Sequence, residues 1–198
     1  KEVIRMPYTF NYPSYDLNTP WYSGMAQGLA TVVVLAAYDI TQNKKYLDSA
    51  EKIVETMLIP IRKGGTLIYL SEKSVWHEEY ADQKKSEHPM VLNGNIFAID
   101  GLFWINEFSK EDKWADILVK SFSGLNENIK RYDGFFWSKY GLMGNYASWH
   151  YHSLHIVQLN KITEFYSKGY TRDVSNIVKY LNMFSIYKLI PLGFTERL

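Results

Sequence analysis

One unit recurs along this chain and limits its fold more than any other feature: an apolar helix, a polar turn, an amphipathic helix, then a glycine-led aromatic segment. Gly28 and Gly94 lie 66 residues apart in the apolar runs, Tyr46 and Trp114 lie 68 apart at the starts of the amphipathic runs, and Gly65 and Gly134 lie 69 apart ahead of the aromatic segments. A third helix pair follows at a shorter spacing, with Tyr170 lying 56 residues after Trp114. A unit of two helices and a short hairpin cannot bury its apolar face alone, so neighbouring units must stack.

In the first unit, Asn18-Thr19-Pro20 reads as a helix start, a capping side chain followed by proline where a missing N–H costs nothing. The helix is expected to reach about Thr41. Its run from Leu29 to Ala37 is apolar nearly all round, which predicts burial. A partner helix is predicted from Tyr46 to about Met57, with Leu47, Ala50, Ile53, Val54 and Met57 on one face. Gly64-Gly65 then leads a strand over Thr66 to Leu70. The second unit repeats this. An apolar helix opens at Asn93-Gly94, Ser109 to Asp112 makes the turn, the partner runs from Trp114 to about Lys130, and Gly134 to Ser138 forms the strand. The third pair spans His152 to Tyr166 and Arg172 to Tyr187, with Lys168-Gly169 in its turn. The predicted fold is all-α with short β-hairpins, a toroid-like partial ring of about three helical hairpins in one domain over residues 1–198. The first helices form its inner layer. A further segment or a second copy of the chain is expected to complete the ring, and a chain beginning at Lys1 reads as part of a longer one.

Composition removes several functions. The 22 Lys and Arg nearly balance 21 Asp and Glu, so no basic field exists for nucleic acid. The longest apolar run, Leu29 to Tyr38, is too short to span a bilayer. With no cysteine, thiolate metal sites and disulfides are excluded and the compartment stays open. The 16 Tyr, 10 Phe and 6 Trp supply either a large aromatic core or faces for stacking on sugars.

Two stretches carry the chemistry: Trp76-His77-Glu78-Glu79-Tyr80 and Trp149-His150-Tyr151-His152-Ser153-Leu154-His155. Each sets a tyrosine beside a carboxylate or imidazoles just before a helical segment, a combination that suits moving a proton on and off carbon. A carboxylate next to Tyr80 serves either as a base or to activate the phenol. His150, His152 and His155 approximate metal-ligand spacing, but no carboxylate nearby completes a zinc pattern, and hydrogen-bonding histidines are expected instead. Tyr140 flanks the second hairpin, and the turn at Asn93-Gly94-Asn95 offers free N–H groups to an anion.

On these residues the chain resembles the C-terminal helical domain of D-glucuronyl C5-epimerase. The matching stretches are Ser23-Gly24-Met25-Ala26-Gln27-Gly28, Trp76 with Glu78-Glu79-Tyr80, Val91-Leu92-Asn93-Gly94, and Trp149-x-Tyr151-His152-x-x-His155-Ile156-x-Gln158-Leu159, in the family's order over roughly residues 20–165. The resemblance implies an isomerase that inverts C5 of a hexuronic acid unit in an anionic polysaccharide, without a cofactor or metal. It implies Glu79, Tyr80 and Tyr151 as catalytic residues, with Tyr80 and Tyr151 on opposite faces of the sugar. Trp76, Asn93, Trp137, Tyr140, Trp149, His152 and His155 are the expected substrate-binding residues. The family places a tyrosine and an arginine in the hairpin before the last motif, where this chain offers Trp137 and Tyr140. It also has a β-rich upstream region that helps form the cleft, to which residues 1–17 bear no likeness. A polysaccharide lyase, a glycoside hydrolase and a non-catalytic glycan-binding domain are the alternative functions.

Overall fold

The computed structural model describes residues 2–109, 111–167, 169 and 173–187. The predicted turn residues Lys110 and Lys168, together with Tyr170 and the predicted helix start at Arg172, lie outside the described residues. Among the described residues the fold is all-α with one short β-hairpin. Its helices are α1 (Gly24–Thr41), α2 (Lys44–Val54), α3 (Leu92–Ser109), α4 (Asp112–Asn128), α5 (Trp149–Ser167) and α6 (Ser175–Tyr187). Strands β1 (Leu67–Tyr69) and β2 (Val75–His77) pair antiparallel, with Ile68 opposite Trp76. Each helix packs on its successor within a unit, and α3 joins the units by touching α1, α2, α4 and α5. It is accordingly buried on nearly all sides, from Leu92 to Ile105.

The α1–α3 contact is made by backbone. A Cβ added to Gly28 would lie 2.2 Å from the Phe97 carbonyl oxygen, and one added to Gly101 would lie 2.6 Å from the Gly28 Cα. Glycine is required there for approach, not for its backbone angles.

Three expectations are corrected. Helix α1 begins six residues after Asn18, capped by Ser23, whose Oγ accepts from the Ala26 N–H at 3.3 Å. The reason is pairing: Trp21 exchanges backbone hydrogen bonds with Tyr8, and Tyr22 with Ala81, so both are extended. Second, α1 is not buried all round. Leu29, Val33 and Ile40 are 40%, 68% and 83% exposed on the side turned away from α3. By length and composition α1 could cross a membrane, with a mean hydropathy of 1.3. Its packed side nonetheless buries Gln27 and Thr31. Third, Gly134 to Ser138 is a turn, not a strand. Phe135 takes a φ of 79°, Gly134 N–H donates to the Trp137 carbonyl at 2.8 Å, and only single bridges (Asp133 with Ser138, Lys139 with Tyr146) form.

The N-terminal segment forms an arm. Tyr8 pairs with Trp21 and Tyr12 with Leu17, closing an irregular hairpin around a 3-10 turn at Pro13–Tyr15. Gln27 holds its base by donating to the Ile4 and Ile53 carbonyls at 3.1 and 2.7 Å and accepting from the Met6 N–H at 2.7 Å.

Replacing Gly28 with alanine is expected to cost about 2–3 kcal/mol through overpacking, a Tm drop on the order of 5–10 °C in thermal denaturation. Val33→Ser, on the open side of the same helix, is expected to leave Tm nearly unchanged; equal drops in both would contradict the backbone seam.

Candidate functional site

The sequence places two acids next to each other, and the fold buries both. Glu78 and Glu79 follow β2 directly and are 0% and 4% exposed. Burying a carboxylate is costly unless donors satisfy it. Glu78 accepts from the backbone N–H groups of Tyr80 and Met90, at 3.0 and 2.8 Å. That ties the Glu79-Tyr80 loop to the turn preceding α3. Tyr132 completes the tie by donating its hydroxyl to the Met90 carbonyl.

Glu79 accepts from side chains. Asn93 Nδ2 donates to Oε2 and the Tyr140 hydroxyl donates to Oε1, each at 3.4 Å. Tyr140 spends its proton there, so the Tyr80 hydroxyl, 3.2 Å away, is the donor to the Tyr140 oxygen. The result is a chain of donors, Tyr80 to Tyr140 to Glu79, with the Tyr80 hydroxyl also near enough to Glu79 to favour its charged form directly. Gly94 makes room for it, because a Cβ at that position would lie 2.3 Å from Glu79 Oε2. Tyr151 meets the other side of Tyr140, with ring centroids 4.7 Å apart at 64°.

Burial pushes the Glu79 carboxyl up to about 7, against the pull of the Tyr80 and Tyr140 hydroxyls. Burial raises Glu78 to about 7 as well, with its backbone donors opposing and the Glu79 charge adding. The Tyr80 and Tyr140 phenols are driven well above the ordinary tyrosine value, first by burial and then by the Glu79 charge. With no substrate bound, both are therefore neutral donors.

Tyr80, Tyr140 and Tyr151 line a cleft of about 350 Å³, with Tyr12 and Tyr15 of the arm on one wall and Asn145 and Ser148 on another. Tyr12 stacks on Tyr80 at 5.3 Å and 13°, and Tyr15 lies 4.6 Å from the same ring. A second lobe of about 190 Å³ opens past Tyr12 and Tyr80 toward Tyr8, Phe10 and Trp21, and Glu79 lies on its wall. Sequence reasoning missed the whole arm. The signal was present in Tyr8-x-Phe10-x-Tyr12, whose alternation is that of a strand.

The structure thus brings Glu79, Tyr80, Tyr140, Tyr151 and Asn93 together and sets the other predicted residues apart. Trp76 has no exposed surface and stacks on Tyr132 at 5.8 Å inside the core. Trp137 is buried between Trp149 and His152, with centroids at 5.7 and 3.8 Å. Trp149 itself is largely exposed but is not part of the cleft wall. His152 and His155 are fully buried and share Ser138, whose Oγ lies 2.8 and 2.9 Å from their Nδ1 atoms. His152 Nε2 donates to the Phe184 carbonyl at 3.0 Å, leaving Nδ1 to accept from the Ser138 N–H at 3.2 Å. Burial, and then the neighbouring His152, push His155 down to about 3, so it is uncharged. These imidazoles tie the loop that follows Gly134, and with it Tyr140, to α5 and α6. His150 lies outside this group against the Tyr151 ring. Among the described residues no three His, Cys, Asp or Glu side chains gather as a metal-binding group.

Residues 1–180 match the protein family described as D-glucuronyl C5-epimerase C-terminus. The chain is 33% identical over 177 residues to an uncharacterized protein, MJ1128, of Methanocaldococcus jannaschii, covering 83% of this chain and 55% of that protein. It is 26% identical over 161 residues to the D-glucuronyl C5-epimerase of Caenorhabditis elegans, covering 72% of this chain and 26% of that one. The chain therefore spans about half the length of the first relative and about a quarter of the second. The match begins at residue 1 and so takes in the arm, which the motif stretches did not reach.

The folded protein holds the Glu79 proton more tightly than the unfolded chain, whose glutamate ionises near 4.5, so stability is lost as pH rises from there to about 7. Glu79→Gln removes that loss. Its stability relative to wild type, from denaturant titrations at a series of pH values, is expected to climb by on the order of 3 kcal/mol across this window and then level off. A constant offset from altered hydrogen bonding would not produce that slope, and a flat difference would mean the carboxyl is not shifted.

Proposed function

Because the chain belongs to the D-glucuronyl C5-epimerase C-terminal family, we propose that its cleft inverts C5 of a hexuronic acid unit in an anionic polysaccharide by proton removal and return. The observation that carries this reading is the donor chain from Tyr80 through Tyr140 to Glu79. A neutral phenol is a weak base for carbon, but one that passes its own proton on as it receives another is not limited by its own pKa. In the proposed step the C5–H bond breaks and the proton goes to the Tyr80 oxygen. The Tyr80 proton moves to Tyr140, and the Tyr140 proton to Glu79. The electron pair left on C5 delocalises into the adjacent C6 carboxylate, and the Tyr151 hydroxyl supplies a proton to the opposite face. Exchange with solvent returns a proton to Tyr151 and removes one from Glu79. A carboxylate poised near 7 suits the terminal acceptor.

Glycoside hydrolysis is less well served. It uses two carboxylates across the bond to be cleaved, and Glu78 is fully buried with its oxygens held by two backbone N–H groups. A lyase would share the first proton transfer and then expel the C4 substituent, leaving an unsaturated product.

The test is deuterium incorporation at C5 of glucuronate-containing polysaccharides incubated in D₂O. Wild type is expected to incorporate label with no unsaturated product, at a rate that rises with pH toward a plateau above about 7, since Glu79 must be ionised to accept. Tyr80→Phe, Tyr151→Phe and Glu79→Gln are each expected to lose roughly 100-fold or more in rate. A wild-type protein that labels no uronate polymer would overturn the proposal, and an unimpaired Tyr151→Phe would remove that residue from the mechanism.

A further inference from the structure

Helix α1 carries an apolar ridge that the cleft does not use. Ala26, Leu29, Val33, Ala36 and Ile40 follow one another at spacings of three, four, three and four residues. That alternation lines up one face of a helix and is the seam along which helices pair. Leu29, Val33, Ala36 and Ile40 are all exposed, and the residues beside them on one flank, Ala30 and Ala37, are small enough to let a second helix come close. On the other flank lies a trough of about 370 Å³, lined by Val32 and Leu35 of α1, Trp104 and Phe108 of α3, and Lys161 of α5. The apolar face therefore extends past α1 itself.

We propose that this ridge is the contact between two copies of the chain, with α1 of one packed antiparallel on α1 of the other. A two-fold contact must be self-complementary, and the ridge is. Centred between Val33 and Ala36, it sets Leu29 against Ile40 of the second copy and Val33 against Ala36, so each exposed ridge residue is covered. Charge decides the direction. Asp39 is the one charged residue of α1. Parallel packing would bring the two Asp39 carboxylates together in apolar surroundings. Antiparallel packing separates them by about 14 Å along the axis and sets each beside Ala30 of the other copy. The same acid argues against a lipid surface, since helices that lie on membranes border their apolar face with cations. Lys161, on the trough, is already held by Asp100 at 2.7 Å. The seam is about 17 Å long, small for a specific interface even with the trough alongside. The pair is therefore expected to exchange with monomer at micromolar concentration. Ser23 and Met25 border the cleft's second lobe at the N-terminal end of α1, so the two clefts lie at opposite ends of the pair.

The test uses the full chain and no readout of C5 chemistry, so it stands or falls apart from the epimerase reading. Sedimentation equilibrium between about 1 and 200 µM is expected to show monomer and dimer in exchange, with a micromolar Kd. Val33→Glu puts a charge in the middle of the seam and is expected to weaken association roughly 30-fold or more. Val119→Glu, on the exposed surface of α4, is expected to leave association unchanged. Both variants are checked as folded by circular dichroism. The chain has no cysteine, so the direction of packing can be read by cross-linking. Leu29→Cys combined with Ile40→Cys is expected to give a disulfide-linked dimer on mild oxidation, and neither substitution alone is expected to give any. A chain that stays monomeric throughout would overturn the proposal, as would a dimer indifferent to Val33→Glu or cross-linking by Ile40→Cys alone. Binding to vesicles of phosphatidylcholine and phosphatidylglycerol that is lost in Val33→Glu would assign the face to lipid and overturn it too.

Discussion

Two adjacent carboxylates withdrawn from water are the constraint around which this molecule is arranged. Each needs donors in a fixed place, and they come from four separate parts of the chain. Glu78 takes backbone N–H groups from its own loop and from the turn at Met90. Glu79 takes a side-chain amide from the first turn of α3 and a phenol from the loop that follows Gly134. Satisfying the pair therefore assembles the site, because the groups that stabilise the acids are the groups that present Tyr80 and Tyr140 to the cleft. The same burial leaves Glu79 near neutrality, where a carboxylate can both accept and release a proton.

Much of what looks like chemistry in the sequence is scaffold. In Ser23 to Gly28, Ser23 caps α1, Gly24 N–H donates to the Glu78 carbonyl at 2.7 Å, Gln27 holds the arm and Gly28 admits α3. In the last motif, His152 and His155 close on Ser138, and Gln158 donates to the Asn93 carbonyl at 3.2 Å. Of that motif, only Tyr151 lines the cleft. The few groups that line the cleft are thus held by a larger set of buried polar residues.

The helix pairs were legible because apolar periodicity and polar turns are local properties, and α2 and α4 fall within a few residues of their expected ranges. The glycine-led repeat was legible only by halves. Leu67 to Tyr69 finds a partner in Val75 to His77, whereas after Gly134 the positive φ at Phe135 turns the chain back too soon. Glu79, Tyr80 and Tyr151 could be named from the sequence. That Tyr140 stands between them, and that Trp76 and Trp137 lie in the core, depends on contacts across the fold that no local pattern carries. The start of α1 was misplaced for the same reason. Asn18-Thr19-Pro20 is a sound local signal, but pairing of Trp21 with Tyr8 and Tyr22 with Ala81 overrides it.

The glycine seam between α1 and α3 has a mechanical consequence. With a main chain lying directly on a main chain, neither rod can slide or roll without atomic overlap. Ser23 and Asn93, at the beginnings of those helices, keep a constant separation, and the floor between them acts as a rigid plate. The N-terminal arm above that plate is held by hydrogen bonds, the backbone pairs at Trp21 and Tyr22 and the Gln27 clasp, so the two parts of the cleft wall differ in kind: one fixed by steric contact, the other by polar contacts.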